Sequence, residues 1–280
     1  MHALRAALVV AALAGLGRPA LAASGDGVAE DAGGGAAVAA VAAVAAATPA
    51  PVTAADLRAD TWRAASITAG ALVLDLAIEK YWTTSGCRIC GTNRLDEEVR
   101  DALRWSDTAA ASRASDVIAK AAIPVLSVAD ALRSTRTLGD AGRDVLVVTE
   151  AASLSALATS IAKRGFARRR PGVQPGDPSP SANHSLWSSH TSLAFSVAVA
   201  QAMQDTLRGD EAAPWVWAVG LTLASSVAYL RIAADAHWAT DVLAGAAAGS
   251  AFGVAVPVLE KRLVLGVRIA PAPGGIAIRF

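Results

Sequence analysis

From Trp215 to Leu230 the chain runs "WVWAVGLTLASSVAYL" without one charged side chain, and after Asp241 the next charge is Glu260. Runs this long and this apolar read as helices and look like membrane spans. The second run contains "GAAAGSAFG", with Gly245, Gly249 and Gly253 four apart. That spacing puts three glycines on one helix face, where another backbone can approach closely. Soluble Ala-rich bundles use the same device, so the pattern speaks for close packing rather than for lipid.

Helical periodicity continues upstream. Six helical candidates lie near 55–82, 98–111 joined to 113–134, 141–165, 189–206, 213–231 and 239–261. The chain is 54 % hydrophobic and 18 % charged, against roughly 25 % charge in an ordinary soluble domain. Both figures fit a membrane protein or a deeply packed helical one. The earlier candidates carry Asp75, Glu79, Lys120, Asp130, Asp144 and Glu150. Each charge near a bilayer centre costs roughly 3 kcal/mol on insertion scales, which weakens spanning for these helices. A net charge of +1, with no zinc-finger spacing or aromatic-interleaved basic stripe, gives no support for nucleic-acid binding.

The ends differ from the middle. "MHALR", the apolar "AALVVAALAGLG" and "ALAA" predict a signal peptide over residues 1–22, cleaved after Ala22. An uncleaved anchor or an Ala-rich helix is the alternative. Residues 23–52 read as a low-complexity Ala/Gly linker, 53–260 as the helical domain, and 261–280 as a tail. The tail's alternating runs around Pro273-Gly274-Gly275 predict a short β-hairpin. The expected fold is therefore an all-α six-helix bundle with a C-terminal hairpin. Export implies an oxidising compartment, so Cys87 and Cys90 in "SGCRICGTN" are expected to form a small-loop disulfide. A zinc site needs more ligands than one such pair, and a thioredoxin-like role lacks its βαβ context.

Three short stretches carry chemistry. In "YLRIAADAHWATDVLAG", His237 and Asp241 are four apart and share a helix face. A carboxylate beside an imidazole fixes its tautomer and raises its nucleophilicity. His190 in "SLWSSHTSLAF" sits where Ser188 or Ser189 can cap a helix whose start suits an anion. "AKRGFARRRPG" crowds Lys163 and Arg170 with three further arginines. Alone, each stretch reads as a structural His–Asp pair, a capped helix and a basic helix end complementing its dipole.

Together they resemble the superfamily of type 2 phosphatidic acid phosphatases, bacterial non-specific acid phosphatases and vanadium haloperoxidases. The family pattern is Lys-x6-Arg-Pro, then Pro-Ser-Gly-His, then Ser-Arg-x5-His-x3-Asp. The chain has Lys163 through Arg170-Pro171, then Trp187-Ser188-Ser189-His190, then Leu230-Arg231, His237 and Asp241. Order and spacing agree, while Trp187, Ser189 and Leu230 depart from the pattern. Leu230 cannot make the hydrogen bond of the family serine.

The resemblance implies a metal-independent phosphatase acting on phosphate monoesters, with lipid phosphates or diphosphates among its candidate substrates. Lys163, Arg170 and Arg231, with Ser188 and Ser189, would cradle the phosphate. His237 would attack phosphorus, Asp241 would orient it, and His190 would protonate the leaving group and then activate water. No cofactor or metal is required in this reading. His184, in the Pro/Ser-rich loop "QPGDPSPSANHSLW", reads as a surface residue, and that loop could close over the site. A vanadate-dependent haloperoxidase and a non-catalytic envelope protein of the same fold are the alternatives. Localisation is expected in the periplasm or cell envelope. Membrane embedding stays open, because a cleaved signal conflicts with the family's membrane topology.

Overall fold

The computed structural model describes residues 54–84, 86–264, 268–272 and 275–279, with side chains over 58–84 and 86–261. The expected signal peptide (1–22) and linker (23–52) lie outside these residues.

Six long rods form the bundle. They are α1 (Ala54–Tyr81), α3 (Thr108–Val117) running through a π turn (Ile118–Ala122) into α4 (Ile123–Ser134), α5 (Leu138–Phe166), α6 (Ser189–Arg208), α7 (Ala213–Ala233) and α8 (Ala239–Val264). A short helix, α2 (Arg94–Leu103), precedes α3. The periodicity joins 98–111 to 113–134, but the break falls over residues 104–107. Caps explain it. Asn93 accepts from the Asp96 N–H to start α2, Arg104 leaves the helix in an extended conformation, and Asp107 accepts from the Ala110 N–H to start α3. Local caps outweigh a periodicity that would have continued through.

α6 is the central rod. Ala194, Phe195, Val197, Ala198, Val199, Ala200 and Ala202 are all buried on it, and the main core adds apolar residues of α2, α4, α5, α7 and α8. The glycine face of α8 meets α6. A Cβ on Gly245 would come 2.7 Å from the Ser188 carbonyl oxygen, and one on Gly253 would come 2.8 Å from Val199 Cβ. A Cβ on Gly249 would overlap the Ser192 carbonyl. The absence of side chains there sets the distance between the two helices.

Arg58–Tyr81, Leu138–Phe166, Ala213–Ala233 and Ala239–Lys261 are long and apolar enough to cross a membrane. α1 shows Val73, Leu74 and Leu76 on its surface. Of the six charges that count against spanning, two turn inward, while Glu79 and Lys120 stay exposed. Glu150 is buried, Asp144 is buried and pairs with Arg208, and Asp130 bonds Arg133 and Gln201. Beyond α8, β1 (Arg268–Ala272) pairs antiparallel with β2 (Gly275–Arg279), Ala270 opposite Ala277.

Candidate active site

The three motif stretches meet at one end of the bundle because each stands at a helix terminus. Lys163 lies in the last turn of α5, whose C-cap Ala167 takes a left-handed conformation (φ 43°). The chain then runs extended through Arg168–Arg170 alongside the 87–90 loop. Arg88 N–H donates to Ala167 O (2.9 Å) and Arg169 N–H to Ile89 O (3.1 Å). Cys87 and Cys90 are disulfide-bonded, with their Cα atoms 5.4 Å apart. Arg169 turns towards Cys87 Sγ (3.2 Å), while Arg168 turns into the protein.

His190 and Ser189 open α6. Ser188 is its N-cap, accepting from Thr191 N–H (3.4 Å) and Thr191 Oγ1 (3.0 Å), and its own N–H donates to Asp241 O (3.0 Å). Its hydroxyl is buried in the cap. Ser189 Oγ accepts from Lys163 Nζ (2.9 Å). Arg231, at the end of α7, donates to Ser115 (3.0 Å) and Ser112 (3.3 Å) of α3. The Nε atoms of Arg168, Arg170 and Arg231 are buried with no hydrogen-bond partner among the described residues.

His237 is 1 % exposed, in the turn between α7 and α8. Its Nδ1 lies 2.8 Å from the Ser185 carbonyl. A carbonyl only accepts, so Nδ1 carries the proton and Nε2 keeps its lone pair. Burial holds the ring's pKa well below the ordinary histidine value, and Arg170, Lys163 and Arg231 push the same way. Asp241, expected to orient His237 directly, stands 3.9 Å from Nδ1. Its Oδ2 instead accepts from Ser185 Oγ (2.5 Å) and Trp238 N–H (3.0 Å), and its Oδ1 from Arg168 Nη1 (2.6 Å). The carboxylate therefore holds the residue whose carbonyl holds the ring.

His190 Nε2 lies 2.6 Å from Asp116 Oδ1 of α3. Burial first, then Arg231, pushes its pKa down to about 4, against the upward pull of Asp116. With Nε2–H donated to a carboxylate, Nδ1 is the nitrogen left for proton transfer.

The departures from the family pattern have local accounts. Leu230 is buried against Ala111 and Ala233 in a small apolar cluster. The Trp187 indole N–H bonds Thr159 of α5, tying the loop to the bundle. His184, expected on the surface, is half-buried, 2.9 Å from Thr84 Oγ1. Its pKa is lowered to about 4 by burial and by Arg164, Lys163 and Arg170.

Sequence reasoning did not single out Asp96, Arg168, Ser185, Ser112, Ser115 or Asp116. Only Asp96 left a local signal, since Asn93 with an acid three residues on is a helix-start pattern.

Residues 144–264 match the family model described as the PAP2 superfamily. No curated protein matches the chain. Among solved structures, the crystal structure of the first transmembrane PAP2-type phosphatidylglycerolphosphate phosphatase from Bacillus subtilis is similar. It has a TM-score of 0.45 and 19 % identity, over 74 % of this chain and 98 % of that one.

Proposed function

Because residues 144–264 match the PAP2 superfamily model, we propose that the chain is a phosphatase acting on lipid phosphate monoesters or diphosphates through a phosphohistidine. The observation that carries this reading is His237. It is kept neutral with its proton on Nδ1, and Lys163, Arg170 and Arg231 are the charges that act on it. A buried neutral imidazole under the influence of Arg170, Lys163 and Arg231 fits the role of a nucleophile in an anion cradle.

His237 Nε2 attacks phosphorus in line as the bond to the leaving oxygen breaks. Lys163, Arg170 and Arg231 compensate charge on the equatorial oxygens, with first-turn amides of α6 as further donors. The imidazolium that forms keeps its Nδ1–H on the Ser185 carbonyl, beside the Asp241 carboxylate. His190, protonated on Nδ1, gives that proton to the leaving alkoxide. It then takes one from the water that cleaves the phosphohistidine, which returns His237 to its neutral form.

A lipid substrate agrees with the placement of the site. Lys163, Arg231 and Asp241 stand at the ends of three of the four helices able to span a bilayer. Exposed Tyr81 and Trp82 lie at the same end of α1, where Trp82 O accepts from Arg164, while Trp62 and Trp215 are exposed at the opposite ends of α1 and α7. Such aromatics suit the two interfaces of a membrane, which supports a phosphate cradle at headgroup level.

The test is phosphate release from a lipid phosphate in detergent micelles. Release that persists in chelator, is blocked by orthovanadate and disappears in His237→Ala supports the reading. So does a phosphoenzyme that is stable in alkali and labile in acid. Full activity in His237→Ala, or no release from any phosphate ester, would overturn it. Vanadate-dependent oxidation of halide by peroxide would favour the haloperoxidase instead.

A further inference from the structure

The basic stretch "ARRRP" holds more arginine than a phosphate cradle uses, and Arg168 has a separate environment. It is 5 % exposed, and its guanidinium bridges two carboxylates that are both 0 % exposed. Nη1 donates to Asp241 Oδ1 (2.6 Å) and Thr240 Oγ1 (2.7 Å), and Nη2 to Asp96 Oδ2 (2.6 Å). Asp96 is itself anchored by Asn93 Nδ2 (2.8 Å), Thr240 N–H (2.9 Å) and Thr240 Oγ1 (2.8 Å). The guanidinium thus ties the start of α2 to the start of α8. At its other end, the Arg168 carbonyl accepts from Ser185 N–H (3.0 Å).

We propose that Arg168 is a positioning residue that fixes His237 through two arms, its guanidinium on Asp241 and its carbonyl on Ser185. Asp241 in turn holds Ser185 Oγ, and the Ser185 carbonyl accepts the Nδ1 proton of His237. Ser185 is therefore gripped at N–H and Oγ, and its third polar group sets the tautomer and plane of the imidazole. Two buried carboxylates neutralise Arg168, so it is a poor candidate for a phosphate ligand, in contrast to Arg170 two residues on. Asp96 is the anchor of the same device from outside the matched family segment.

The proposal rests on the phosphatase reading for its kinetic consequence but not for its structural one. In full-length protein labelled with 15N-histidine, which has four histidines, His237→Gln identifies the His237 signals. Wild type should show Nδ1 protonated and Nε2 bare. Arg168→Met should show a mixture of tautomers. Its kcat should fall about 10²-fold, the scale of a misplaced reacting group, with the inhibition constant of inorganic phosphate unchanged. Arg168→Lys cannot reach both carboxylates with one ammonium and should recover only part of kcat. Ser185→Ala keeps the carbonyl and loses the Oγ arm, so it should show a smaller loss of the same kind. These two milder variants carry the test if Arg168→Met does not fold.

Loss of phosphate affinity in step with kcat would make Arg168 a phosphate ligand and overturn the proposal. A single tautomer and full kcat in both Arg168→Lys and Ser185→Ala would reduce it to a fold-stabilising residue. A wild-type protein that releases no phosphate, with the tautomer change still seen in Arg168→Met, would retire the phosphatase reading alone.

Discussion

The carboxylate of Asp241 stands 3.9 Å from His237 Nδ1, while the Ser185 carbonyl stands at 2.8 Å. The acid of the His-x3-Asp spacing acts on its histidine at one remove. Asp241→Asn keeps an oxygen for the Trp238 N–H but removes the charge opposite Arg168. It should lower kcat about 10²-fold, as a displaced nucleophile does, while leaving phosphate inhibition near wild type. A parallel loss of phosphate affinity would show that Asp241 tunes the cradle rather than the nucleophile. Steady-state kinetics with phosphate as competitor separates the two.

The Asp116–His190 pair predicts a pH dependence. His190 must be protonated to serve a poor leaving group, and its free-enzyme pKa lies near 4. For an alkyl phosphate, kcat/KM should therefore fall as pH rises above that value. A bound phosphate anion favours the imidazolium, so the limb in kcat should lie at higher pH than the limb in kcat/KM. Asp116 raises the His190 pKa, so Asp116→Asn should move the limb to lower pH and reduce activity at neutral pH. An aryl ester such as p-nitrophenyl phosphate, whose leaving group needs no proton, should be spared. An unshifted profile in Asp116→Asn would sever Asp116 from the acid.

What could be read in advance was whatever depends on chain spacing alone. Lys163 and Arg170 are seven apart because one closes α5 and the other ends the extended piece after it. Gly245, Gly249 and Gly253 announced a close helix contact because a four-residue period is a property of one helix. Arg168 was invisible for the opposite reason. Its role comes from Asp96, on α2, and from Asp241, on α8, and nothing local distinguishes it from Arg169, which turns to Cys87. Ser185 was hidden because its backbone carbonyl does the work. Leu230 reads in the sequence as a lost hydrogen bond, whereas in the structure it packs with Ala111 and Ala233 in a small apolar cluster. The charges on α5 looked hostile to a membrane because a sequence does not show which way a side chain turns.

Arg231 is held by two serines of α3 and, among the described residues, has no carboxylate as a hydrogen-bond partner. Arg231→Lys keeps the charge and loses the fork that holds Ser112 and Ser115 and that, in the proposed reading, would also reach a phosphate oxygen. Losing one hydrogen bond to a charged group costs about 1.5–3 kcal/mol, which corresponds to an orthovanadate inhibition constant raised about 10- to 100-fold. Inhibition unchanged in Arg231→Lys would mean that charge alone suffices there.

The α6–α8 contact makes a stability prediction that is independent of the chemistry. A Cβ on Gly249 would overlap the Ser192 carbonyl and lie 3.0 Å from Phe195 Cβ, so the helices must move apart. Overpacking of this kind costs about 1–3 kcal/mol, against a gain of up to about 1 kcal/mol in helix propensity. Gly249→Ala should thus lower the thermal midpoint in detergent. Gly142, on α5, has nothing within 4 Å of a built Cβ, so Gly142→Ala gains the propensity without the clash and should raise the midpoint slightly. Gly245→Ala should do more than destabilise. Its Cβ would fall 2.7 Å from Ser188 O, and Ser188 N–H is bonded to Asp241 O, so the displacement reaches the site. It should lower kcat by a larger factor than Gly249→Ala at equal loss of stability. Equal kcat in the two variants would show that the glycine contact sets stability alone.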